Sequence, residues 1–91
     1  MSGKVGGDLE QMRGMARMFK SNADKLDGII KDLNGKTVDS DRIWSGPAAE
    51  RFRSDWDQAR GSFQKMRQAL DDAGTAVNQN AQRIEAATAA R

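Results

Sequence analysis

From Asp8 to Asn34 the apolar residues Leu9, Met12, Ala16, Phe19, Ala23, Leu26, Ile30 and Leu33 recur in steps of three and four, and Val5 extends the series upstream. That spacing holds one apolar stripe on one face and predicts a helix over residues 8–34. Asp8 stands before the first apolar residue as an N-cap, and the Asn34-Gly35 pair supplies residues that tolerate the left-handed backbone in which helices commonly stop. A second series, Phe52, Trp56, Ala59, Phe63, Met66, Leu70, Ala73, Val77, Asn80, Ile84 and Ala87, again advances in fours and threes. It predicts a helix over residues 47–88, with Pro47 suited to the first turn and Ser45 or Gly46 as the cap before it.

Residues 35–46 between them are polar and turn-forming apart from Val38 and the Ile43-Trp44 pair. A connection this short makes the two helices antiparallel neighbours, and sustained three-four spacing predicts a shallow, left-handed crossing with knobs-into-holes packing. At 1.5 Å per residue the second helix is roughly 60 Å long against about 40 Å for the first, so it should overhang. Gly14, Gly28, Gly61 and Gly74 lie inside the helical segments, where each costs about 1 kcal/mol relative to Ala, so packing must supply what propensity does not. After Val77 the chain is rich in Ala, Asn and Gln, and fraying is expected there. The fold class is all-α: a single antiparallel helix-turn-helix hairpin.

A chain of 91 residues buries a smaller fraction of its surface than a larger domain would, and with no Cys and no His it lacks disulfides and the commonest structural metal ligands. Oligomerisation is the remaining route to stability. Met15, Met18 and Ile29 widen the first apolar face beyond what one partner helix covers, which points to two hairpins pairing as a four-helix bundle; the alternative is that they are scattered surface apolars. The helix-helix or dimer contacts are expected from Leu9, Met12, Met15, Phe19, Leu26, Ile30 and Leu33 on the first helix, and from Phe52, Trp56, Phe63, Met66 and Leu70 on the second. Asn80 on the second stripe either fixes register as a buried Asn does in coiled coils, or lies exposed among equally polar neighbours.

Hydrophobic residues are 37%, charged residues 31% and the net charge +2, with a mean hydropathy of -0.78. Acidic and basic residues alternate, so no basic face for nucleic acid is expected, and no apolar run approaches a stable membrane span. Met1 to Asp8 carry no hydrophobic segment of the kind a cleaved signal peptide needs. Without His, Cys or a phosphate-cradling Gly-rich loop, catalysis has little to work with, and no cofactor is expected. Asp39 with Asp41, and Asp71 with Asp72, lack the spacing of a known cation loop, so no metal site is expected either.

Trp44-Ser45-Gly46 falls in the turn between two heptad arms of a chain close to one hundred residues. That combination resembles the WXG family, the early-secreted-antigen-like substrates of type VII (ESX) secretion, over essentially the whole chain. The resemblance implies a homo- or heterodimeric four-helix bundle, formed with itself or with a second WXG-family chain. It further implies export of the folded dimer from a cytoplasmic pool by the type VII machinery and its ATPase, with no signal peptide, to act outside the cell as a non-enzymatic interaction protein. The family's C-terminal Y-x-x-x-D/E export signal cannot be formed here, since the sequence has no Tyr. Ile84 and Thr88 lie where a divergent export tail is sought; otherwise a partner supplies the signal, or the chain is an intracellular helical adaptor that is never exported. Trp44 is a candidate anchor for a partner, or a pin for the turn with Ile43 beneath it. Gly46 reads as a backbone requirement.

Overall fold

The computed structural model describes residues 7–89, so Val5 lies outside the described residues. Helix α1 spans Leu9–Asp39, a 3-10 turn spans Ser40–Arg42, and helix α2 spans Pro47–Ala89. Among the described residues there is no strand. The two helices run antiparallel in a rod of 68 × 20 × 16 Å.

Asp8 caps α1, its carboxylate accepting from the Gln11 N–H at 3.1 Å. The expected stop at Asn34-Gly35 is corrected by the structure, because α1 runs on to Asp39. The reason is tertiary. The Asn34 side chain does not turn back on its own backbone; its Oδ1 accepts from the Trp56 indole N–H across the hairpin at 3.0 Å. Gly35 keeps a helical backbone, positive φ among the described glycines occurring at Gly7 and Gly46. The turn proper is therefore shorter than expected.

The overhang is also smaller. With 31 and 43 residues the helices measure about 46 and 64 Å. Much of the difference is used at the turn, where Arg53 in the second turn of α2 bonds Ser40. The frayed tail expected after Val77 is likewise corrected: α2 is helical to Ala89, Ala81 is fully buried, and Glu85 meets Arg13 at 2.7 Å. Small side chains allow the backbones to close at that end, and an alanine-rich tail has good helix propensity of its own.

The core is thin. Its buried apolar residues among those described are Ala16, Ala23, Ile30, Ala49 and Ala81, and Gly74 is buried with them. Ile30 is the only one larger than Ala. Ala16, Ala23 and Ile30 recur every seven residues on α1, as Gly74 and Ala81 do on α2. Helix α2 is thus rotated from the expected seam: the row of Gly74 and Ala81 faces inward in place of the neighbouring row of Met66, Ala73 and Asn80. Asn80 is exposed and donates to its own helix, to the Ala76 carbonyl at 2.9 Å.

Candidate functional site

Around the small-residue seam the two flanks of the hairpin differ. On one flank of α1, one residue per heptad makes a polar contact to α2. Arg13 pairs with Glu85 at 2.7 Å, Lys20 with Asp71 at 3.1 Å and Thr75 at 2.6 Å, and Asp27 faces Arg67 at 3.9 Å. Asn34 takes the Trp56 indole, and Asp41, one heptad further and already in the 3-10 turn, meets Arg53 at 3.1 Å. This polar edge was not recognised from sequence. Its α1 members are visible as a seven-residue recurrence beside the apolar stripe, but their partners on α2 follow no matching spacing.

The opposite flank is apolar. At 100° per residue, Met12, Phe19, Leu26 and Leu33 lie on the other side of the Ala16-Ala23-Ile30 row, with Met15 and Ile29 beyond them. On α2 the same side carries Trp56, Phe63, Leu70 and Val77, then Phe52, Ala59, Met66 and Ala73. The structure divides the residues expected at an interface accordingly. Ile30 is buried in the hairpin; Leu9, Met12, Phe19, Leu26, Trp56 and Leu70 are half-buried; Met15, Leu33, Phe52, Phe63 and Met66 are exposed. Met18 and Ile29 are 66% and 54% exposed. Met15, Met18, Phe19, Asn22 and Leu70 line an open cavity of about 230 Å³ on this flank, and Trp56 and Phe63 lie ring to ring at 6.3 Å.

The turn is built around Arg53. Its Nε donates to the Ser40 hydroxyl at 3.1 Å, one terminal nitrogen meets Asp41, and the other donates to the Trp44 carbonyl. Ser40 in turn donates its hydroxyl to the Thr37 carbonyl. One guanidinium therefore ties the end of α1, the 3-10 turn and the Trp44 backbone to α2. Sequence reasoning passed over Arg53 because the apolar stripe ran through its neighbour Phe52. Gly46 carries φ of +106°, with open space where a Cβ would be, so the requirement on it is conformational. Its carbonyl accepts from Glu50 N–H at 3.0 Å and opens α2. Ser45 is exposed beside it.

Trp44 packs on Phe52, centroids 5.5 Å apart, and stays 42% exposed. Ile43 is not beneath it but stands 83% exposed. At the far end Ile84 is half-buried and Thr88 exposed, its hydroxyl donating to the Ile84 carbonyl at 2.9 Å. The acidic groups considered for a cation face other partners: Asp71 meets Lys20, Asp72 accepts from Gln68, Asp39 meets Arg42 and Asp41 meets Arg53. No group of three or more metal-ligating side chains is assembled among the described residues, and no described helix is long and apolar enough to cross a membrane.

Fold and turn together define a helical-hairpin protein of the W-x-G type. The model of the WXG100 family, described as proteins of 100 residues with WXG, matches residues 6–88, and the chain belongs to that family. It is similar to protein YukE of Bacillus subtilis (strain 168), 27% identical over 85 residues that cover 93% of this chain and 88% of that protein. It is also similar in structure to EsxA of Geobacillus thermodenitrificans, crystal form I, with a TM-score of 0.84 and 26% identity over 89% of this chain and 90% of that one.

Proposed function

We propose that this chain is a non-enzymatic interaction protein that pairs through its apolar flank with a second hairpin, itself or another WXG-family chain, and is exported folded by a type VII secretion system. The carrying observation is the uncovered flank. Met15, Ile29, Leu33, Phe52, Phe63 and Met66 lie exposed along one side of a rod whose own core is almost entirely Ala and Gly. Burying a Leu, Ile, Phe or Met contributes about 1.5 to 3 kcal/mol, far more than a buried Ala methyl does, so the hairpin leaves most of its apolar stabilisation unused until a partner covers that side. The turn, rigidified by Arg53 and offering Trp44 and Ile43 at the tip of the rod, is the surface we assign to contact with the export machinery and its ATPase.

Export is tested by fractionating cultures of the source organism with and without the type VII ATPase. Loss of the chain from the culture medium, with accumulation in the cytoplasm, is expected in the deletion strain; unchanged release would overturn the assignment. A second reading, an intracellular adaptor, draws on the absence of Tyr and hence of the Y-x-x-x-D/E signal. A wholly cytoplasmic pool in an export-active strain would favour it.

A further inference from the structure

Met15, Met18 and Met66 are 46%, 66% and 54% exposed, while Met12 is half-buried. Met15 and Met18 form walls of the cavity on the apolar flank together with Phe19, Asn22 and Leu70, and Met66 lies one turn along α2 from Leu70. A Leu at these positions would offer nearly the same apolar volume. The thioether adds an accessible, oxidisable sulfur.

We infer that Met15, Met18 and Met66 form a peroxide-oxidation site whose conversion to sulfoxide turns the pairing face off; the inference rests on the pairing role given to that flank above. In the reaction a sulfur lone pair attacks one oxygen of the peroxide. The S–O bond forms as the O–O bond breaks, the sulfur is oxidised by two electrons, and the other oxygen leaves as hydroxide that takes the proton of the sulfur-bound hydroxyl and becomes water. The product is a polar group with a strong acceptor oxygen. In the closed bundle that oxygen would be removed from water beside Phe19 and Leu70, which have no side-chain donors. The one amide lining the cavity, Asn22, already gives one of its two N–H donors to the Met18 carbonyl at 2.8 Å, which leaves at most one donor for three sulfoxide oxygens. A buried acceptor without a partner carries a desolvation penalty large enough to weaken pairing roughly tenfold or more. The hairpin itself is untouched, because these side chains already face solvent when it is unpaired.

The test is sedimentation of the purified full chain before and after hydrogen peroxide, with peptide mass mapping of its five methionines and circular dichroism on the same samples. The untreated chain is expected to sediment as two copies. The chain carrying sulfoxide at positions 15, 18 and 66 is expected to sediment as one at the same concentration, with its helical signal kept, and to pair again after treatment with a methionine sulfoxide reductase and a thiol. The Met15→Leu/Met18→Leu/Met66→Leu variant should pair before and after peroxide; if it loses helical signal, Met18→Leu alone, showing partial protection, makes the same comparison. An oxidised chain that pairs as tightly as before, or a Leu variant that peroxide dissociates as readily as the unsubstituted chain, overturns the inference and leaves the pairing reading in place. An untreated chain that is monomeric at every concentration removes self-pairing, and the inference with it.

Discussion

Gly74 faces Ala16, and a methyl built on it would come within 3.0 Å of the Ala16 carbonyl oxygen and 3.1 Å of the Lys20 Cγ. The lysine stem can move aside; the backbone oxygen of a packed helix cannot. Gly28 and Gly61 have nothing within 4 Å of the same position. Helix propensity alone ranks all three replacements as stabilising, so the sign at Gly74 reports the close approach. Gly28→Ala and Gly61→Ala are expected to stabilise by about 0.5–1 kcal/mol, and Gly74→Ala to destabilise by about 1–3 kcal/mol, in urea denaturation curves. Equal gains at all three would mean that the helices do not approach here as described. Gly46 is a different case. Its φ of +106° strains any L side chain although the space is open, so Gly46→Ala should cost about 1–3 kcal/mol through the backbone, with the same helical content at low temperature.

Among the elements, the polar edge and the turn do different work. Arg13 and Glu85 are 38% and 55% exposed, so their attraction is screened, and a double-mutant cycle should give a coupling of only about 0.2–1 kcal/mol. Such contacts specify which residues of α1 meet which of α2 more than they stabilise the pair. Arg53 is better buried, its side chain only 23% exposed, and joins three partners. Arg53→Ala should cost about 1–3 kcal/mol and move the Trp44 fluorescence, read in a Trp56→Phe background. Arg53→Lys should not restore it, because one ammonium cannot span the positions of a guanidinium fork. Recovery by Lys would reduce the role of Arg53 to charge alone.

For the whole molecule the question is what covers the apolar flank. Phe63→Asp and Ile29→Asp place a charge on that flank at positions already exposed in the hairpin. Each is expected to convert a sedimenting pair to single chains while the helical signal of the hairpin remains, since an unpaired carboxylate is tolerated in water and not when desolvated in a bundle core. The same change at Arg17, exposed and on the opposite side of α1, should leave the mass unchanged. Pairing that survives both flank substitutions would place the interface elsewhere.

Three-four spacing of apolar residues, a proline-opened second helix and a short polar connection determined two antiparallel helices and the central W-x-G turn, because helical periodicity is a local property of the chain. The same spacing could not choose between the row of Met66 and Ala73 and the adjacent row of Gly74 and Ala81 as the inward face of α2. That choice belongs to backbone approach, which small residues permit and large ones prevent. Nor could it foresee that Asn34-Gly35 continues a helix, since the partner that engages Asn34 is Trp56, more than twenty residues away. Arg53 was illegible for a similar reason: its value lies in three groups that only the folded turn brings to one guanidinium. What the tertiary structure decided is therefore the rotation of each helix about its own axis. That rotation separates a polar edge closed within the hairpin from an apolar edge left open to a partner.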